Sequence, residues 1–136
     1  MARTVIADAS YLVALLSQRD SDHGWAVAQA PNHTPPWQTC EAVLSEAYHL
    51  LGRGGLPLVN ALLRRRVLVL NFHLDRDTGA VIRLMEKYAN VPMSIADACL
   101  VRMTEVLPDP IVLTTDSDFR IYRRHSRQVI PCVMPS

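Results

Sequence analysis

Thr4-Val5-Ile6-Ala7-Asp8 and Pro110-Ile111-Val112-Leu113-Thr114-Thr115-Asp116 decide the fold. Each is a short apolar run, rich in β-branched residues, that stops at an acid. Strands that are apolar on both faces belong to a parallel sheet covered by helices, because neither face meets water. In an open parallel sheet, ligands bind beyond the carboxyl ends of the strands. The two runs therefore predict that Asp8 and Asp116 project at one edge, among helix N-termini whose partial positive charge tolerates carboxylates.

The rest of the chain alternates in the same way. Ser10 to Leu16 reads as a helix with Asp8 or Ser10 as cap, and Asp20-Ser21-Asp22-His23 opens a second helix that ends at Pro31. Pro31 to Trp37 is a stiff loop with at most a short strand. Gln38 to Arg53 is a strongly periodic helix closed by Gly54-Gly55. Leu58 to Arg66 is another helix, Val67 to Leu70 a strand, and Asp75 to Tyr88 a further helix. Pro92 introduces a largely apolar helix over Ser94 to Leu107. A last short helix is expected over Phe119 to Arg124 and a final strand over Val129 to Val133. The fold class is α/β: one domain over residues 1–136, with a short central parallel sheet flanked by helices. No repeat, low-complexity tract or linker interrupts it.

A chain of 136 residues, nearly half of them apolar, suffices for one domain with a real core. Its apolar runs fall well short of the roughly 20 residues of a membrane span. Met1 to Ile6 lacks a secretory apolar region, so a cytoplasmic protein without membrane contact is expected. Cys40, Cys99 and Cys132 are scattered, odd in number and set among apolar neighbours, which fits buried reduced thiols. His23, His33, His49, His73 and His125 show no zinc spacing. Net charge is +1, and Lys87 is the one lysine among 14 basic residues.

Two more acids interrupt apolar helix faces. At about 100° per residue, Glu46 shares its side with Ala42, Val43 and Leu50, whereas Glu41 falls on the polar side. Asp97 is flanked at helical spacing by Met93, Leu100 and Val101. Singly, each acid has a plain explanation. Asp8 and Asp116 cap helices, Ser94 to Asp97 fits a capping box, and Glu46 pairs with His49 or Arg53. Capping does not account for Glu46 or for the combination. Gathered carboxylates beside a core lose hydration and repel one another, a situation that a divalent cation relieves. The pattern points to a small metal-dependent enzyme acting on phosphodiesters, with RNA the favoured substrate.

These segments resemble the PIN-domain family, and more narrowly the VapC-like toxins of type II bacterial toxin–antitoxin pairs. Val5-Ile6-Ala7-Asp8-Ala9-Ser10-Tyr11-Leu12 resembles the family's opening strand, first acid and hydroxyl residue. Leu44-Ser45-Glu46-Ala47-Tyr48-His49-Leu50-Leu51 is similar to the helix with the second acid, and Ser94-Ile95-Ala96-Asp97-Ala98 to the third-acid segment. Leu113-Thr114-Thr115-Asp116-Ser117-Asp118-Phe119 is similar to the Thr-x-Asp-x-Asp-Phe signature. Ala9 stands where threonine is frequent.

The resemblance implies an endoribonuclease that uses Mg²⁺ or Mn²⁺ and leaves 5′-phosphate and 3′-hydroxyl ends. It also implies a small antitoxin partner that covers the site, and a homodimer. Asp8, Glu46, Asp97 and Asp116 are the candidate catalytic and metal-binding residues, with Asp8 and Asp97 as direct or water-mediated ligands. Asp118, Ser10 and Thr114 are candidate supporting residues. Arg120, Arg123, Arg124 and Arg127 recur at helical spacing; if the helix runs that far they form a candidate RNA-binding stripe, with a solvated helix face as the plain alternative. Trp37 and Tyr11 are assigned to packing rather than base stacking. Two alternatives stay open: a stand-alone PIN nuclease in RNA processing, and a non-catalytic PIN-like module binding RNA or protein. A phosphoacceptor receiver domain would need a lysine near a late strand, and a Rossmann cofactor domain a Gly-x-Gly-x-x-Gly after the first strand. Neither is present.

Overall fold

The computed structural model describes residues 3–136. Met1 and Ala2, part of the N-terminal stretch read for targeting, lie outside the described residues. The elements run β1 (Thr4–Ala7), α1 (Ala9–Leu16), α2 (His23–Gln29), β2 (Trp37–Thr39), α3 (Glu41–Arg64), β3 (Leu68–Leu70), α4 (Leu74–Lys87), α5 (Ile95–Val106), β4 (Pro110–Leu113), β5 (Arg123–Arg124), β6 (Gln128–Val129) and β7 (Cys132–Val133). Five strands form one sheet in the order β3-β2-β1-β4-β7, and every pairing in it is parallel. The α/β reading therefore holds. Strands added after β1 build one side of the sheet through β2 and β3, and β4 returns to the other side. The order reverses at β1 and β4, and in open parallel sheets ligands bind beyond the strand ends at such a point.

Register fixes the geometry of that edge. Ala7 stands opposite Leu113, and the Asp8 N–H donates to the Leu113 carbonyl at 3.0 Å. Ile6, Leu12, Leu100, Val112 and Leu113 are fully buried beneath it, each worth roughly 1.5–3 kcal/mol of apolar burial. Tyr11 and Trp37 are buried too, with their rings edge to face at 5.7 Å and the Tyr11 hydroxyl donating to the Ala26 carbonyl. Both are packing residues, as expected.

Four expectations are corrected. Gln38 does not begin a helix: it lies in β2, paired between β1 and β3, and helix begins at Glu41 after Cys40. The following helix does not close at Gly54-Gly55. Its break is Gly52, with φ 67° and ψ −162°, whereas Gly54 and Gly55 are helical. Pro57 falls early in the second half, where its missing N–H costs least. The Tyr48 hydroxyl donates to Asn60 Oδ1 and joins the two halves across the break. No helix spans Phe119 to Arg124. A 3₁₀ turn over Ser117–Arg120 gives way to β5, which pairs antiparallel with β6 through a loop in which His125 and Ser126 take left-handed conformations. The final strand is likewise split: β6 belongs to that hairpin, Pro131 intervenes without an N–H, and β7 alone joins the main sheet beside β4.

At Gly52 only glycine is relaxed, because a Cβ is strained in this backbone region whatever space surrounds it. Gly52→Ala is expected to lower stability by about 1–3 kcal/mol. Gly54→Ala, in helical backbone with open space around a Cβ, is expected to be neutral or to gain up to about 1 kcal/mol. Urea unfolding of the two variants side by side checks the contrast.

Candidate active site

Asp8 is where the site is built. It follows β1 directly, caps α1 and is only 5% exposed. Oδ1 accepts from the Ala9 N–H at 2.8 Å. Oδ2 accepts from the Ser10 hydroxyl at 2.8 Å and from the Thr114 hydroxyl at 2.7 Å. Those hydroxyls accept in turn from the Thr115 and Asp116 N–H groups, at 3.0 and 2.9 Å. The clamp thus ties the end of β1 to the end of β4. Ser10 and Thr114, read as supporting residues, are placed on Asp8 itself.

The other acids approach from separate elements. Asp116 leaves β4 by three residues, and its Oδ1 accepts from the Asp118 N–H at 2.9 Å. Asp97 sits in the first turn of α5 in a complete capping box with Ser94. Its Oδ2 accepts from the Ser94 N–H at 3.1 Å and from the Tyr122 hydroxyl at 3.3 Å. Glu46 stands exposed at the rim of α3. Among the described residues it forms no ion pair with His49 or Arg53, so that plain explanation fails.

The acids lie near enough for their charges to bear on one another. Burial pushes Asp8 up to about 6, against the hydroxyl bonds from Thr114 and Ser10, and the Asp97 charge adds to the rise. Glu46 is raised by loss of hydration and then by Asp97 and Asp116. Asp97 is raised by burial, opposed by its Ser94 bonds, and further raised by Asp116. Tyr122 is held above the ordinary phenol range by burial and by Asp97, Asp118 and Asp116 together. Asp97 thus acts on Asp8 and Glu46, and Asp116 on Glu46 and Asp97, while Asp118 bears on Tyr122. Tyr122 was missed by sequence reasoning; its one signal is an aromatic three residues after Phe119, a spacing that says nothing of tertiary contact.

The donor set is carboxylate and hydroxyl oxygen, which suits a hard divalent cation. Asp97 Oδ1 and Asp116 Oδ2 accept no hydrogen bond among the described residues, so each has an oxygen free for an ion or its water. No three His, Cys, Asp or Glu side chains among the described residues lie close enough to grip an ion directly. A hard cation here would be held in part through its own water.

The arginine stripe does not form as a helical face. Arg123 donates to the carbonyls of Arg120, Ile121 and Tyr122, and Arg124 to the Thr104 carbonyl and Gln128 Oε1. Arg120 stays exposed. Lys87 donates to the Ser126 carbonyl at 3.0 Å rather than to an acid, so the receiver-domain alternative finds no support. All three cysteines are free; Cys40 and Cys99 are buried and Cys132 half-buried. No helix among the described residues is long and apolar enough to cross a membrane.

A parallel sheet with acids gathered at its topological switch defines a class, and comparison with known proteins gives that class its family. The PIN domain profile matches residues 5–124, and the chain belongs to the PIN domain family. Among solved structures it is similar to the Mycobacterium tuberculosis VapC20 toxin, described as cleaving the sarcin–ricin loop. That similarity has a TM-score of 0.68 at 20% identity and covers 85% of this chain and 92% of the other. No curated protein matches the sequence.

The raised Asp8 has a thermodynamic consequence. The folded chain holds this proton more tightly than the unfolded chain, whose carboxyl titrates near 3.8. Asp8's contribution is therefore most favourable below that value and is lost as pH rises through about 6, by about 3 kcal/mol. Metal-free protein is expected to lose stability between pH 4 and pH 7, and Asp8→Asn to flatten that loss and melt higher near pH 7.5. Thermal unfolding in chelator across this range checks it, and an unchanged slope in Asp8→Asn contradicts it.

Proposed function

We propose that this chain is a divalent-metal-dependent endoribonuclease and the toxin of a toxin–antitoxin pair. One observation carries the reading: Asp8, Glu46, Asp97 and Asp116 come from four separate elements, and each of Asp8, Glu46 and Asp97 is raised in part by charge on another of the four. Among the described residues no Lys or Arg forms an ion pair with any of them. Such a grouping disfavours the empty fold and favours binding of a small cation.

Asp8 and Asp97 are assigned to hold Mg²⁺ or Mn²⁺, directly or through water, with Glu46 and Asp116 completing the acidic ring. A cation held by these carboxylates would lower the pKa of a water and would offset charge on the leaving oxygen. The protein's own contribution is positioning. Ser10 and Thr114 fix Asp8, Ser94 fixes Asp97, and the Asp118 N–H fixes Asp116. Exposed Arg120 offers charge to an RNA phosphate. Arg123 and Arg124 first hold the hairpin beside the site and reach RNA only with their remaining donors. Resemblance to the family implies that the 3′-oxygen leaves, giving 5′-phosphate and 3′-hydroxyl ends, and attack by water needs neither the RNA 2′-hydroxyl nor a histidine pair.

The toxin role rests on the VapC-like order of the acidic segments, and the exposed apolar side chains are compatible with partners. Leu50, Leu56 and Leu58 are exposed along α3, and Leu16, Leu51 and Leu58 line a groove between α1 and α3. Surfaces of this kind suit a small antitoxin and a second copy of the chain. A short reading frame immediately upstream, encoding a DNA-binding fold with an acidic or disordered tail, is the expected genomic context.

Asp97→Asn keeps the size of the side chain and a capping oxygen while removing its charge. It is expected to reduce Mn²⁺-dependent RNA cleavage by about 100-fold or more with the circular dichroism spectrum unchanged. Wild-type cleavage should stop in chelator and return with added Mn²⁺. Full activity in Asp97→Asn contradicts the assignment.

A further inference from the structure

We propose that Tyr122 is a positioning residue of the acidic site: its phenol O–H holds the Asp97 carboxylate and ties the Asp116–Asp118 segment to α5. The inference rests on the functional reading above and assigns a role to a residue outside the four acids.

Three contacts carry it. Tyr122 is 0% exposed, and its hydroxyl donates to Asp97 Oδ2 at 3.3 Å. Its N–H donates to the Asp118 carbonyl at 3.1 Å, while the Phe119 N–H donates to the Asp116 carbonyl at 3.2 Å. The residue is therefore anchored by its backbone in one acid-bearing segment and by its side chain to another. Its ring cannot easily swing away. It packs edge to face on Tyr88 at 5.1 Å and on Phe119 at 5.2 Å, which fixes the direction of the hydroxyl.

The chemistry of the donor matters as much as its place. With the Ser94 N–H, the phenol fills Oδ2 of Asp97 and leaves Oδ1 for an ion or its water. A lysine or arginine there would also hold the carboxylate, but would neutralise the charge that attracts a cation. A phenol fixes the carboxylate without competing for it, as the hydroxyls of Ser10 and Thr114 do for Asp8.

Tyr122→Phe removes this one O–H and leaves the aromatic cluster. Tyr88→Phe is the control: its ring lies in the same cluster, but its hydroxyl accepts from the Arg123 N–H at 3.0 Å and touches no acid. The readout is the Mn²⁺ dissociation constant of the whole chain, measured by titration calorimetry without RNA, together with melting in chelator. Tyr122→Phe is expected to weaken Mn²⁺ binding about 10-fold and to raise the Mn²⁺ needed for half-maximal RNA cleavage in parallel, with Tyr88→Phe unchanged in both. Unaltered Mn²⁺ affinity in Tyr122→Phe overturns the inference, and so does equal weakening in both variants, which would mark a packing effect. A wild-type chain that binds Mn²⁺ without cutting RNA overturns the nuclease reading and leaves the Tyr122 comparison intact. A wild-type chain that binds no Mn²⁺ overturns both.

Discussion

Everything at the working edge of this fold depends on keeping one carboxylate buried and charged. Asp8 has almost no water and sits within reach of another acid. It is held by the Ala9 N–H and by two hydroxyls from opposite ends of the chain, Ser10 and Thr114. Those hydroxyls are committed to the backbone beyond β4, so the clamp exists only when β1 and β4 pair in the observed register. A one-residue slip would turn Asp8 towards the other face of the sheet and dissolve the site. Strand pairing and site assembly are thus a single event.

The capping explanations hold locally, and they do not compete with the functional reading proposed for the same acids. Asp8 does cap α1, Asp97 does complete a capping box and Asp116 does cap the 3₁₀ turn. Capping stabilises each helix start locally, commonly by about 1 kcal/mol. It does not require the three starts to face one another, with Glu46 added from the flank of α3. Neutral donors hold Asp8, Asp97 and Asp116, and among the described residues no lysine or arginine pairs with any of the four acids. An arrangement built only for stability would place an arginine among them. Arg123 and Arg124 instead bind main-chain carbonyls of the turn before the hairpin and of α5.

Asp8 and Asp116 were legible in the sequence because β-branched runs of period-independent apolarity mark buried strands, and parallel strands share a carboxyl edge. Glu46 and Asp97 were legible because a charge on an apolar helical arc is conspicuous. Three features were not. The break at Gly52 was misplaced because three nearby glycines are equivalent in sequence, whereas in the fold Gly55 packs closely on Leu51 and Gly52 alone takes a positive φ. The hairpin at Arg123 was hidden because its turn uses His125 and Ser126 in left-handed conformations, without the glycine or asparagine that usually announces one. Tyr122 was invisible because its role lies in a contact across 25 residues, which local spacing does not encode.

The central claim is that four carboxylates from distant parts of the chain constitute one cation site. Anomalous diffraction from crystals soaked in Mn²⁺ tests it most directly. The account predicts an anomalous peak bounded by Asp8, Glu46, Asp97 and Asp116, with water completing the coordination. Soaked crystals with no peak among these side chains, or with manganese bound only elsewhere on the surface, would contradict it.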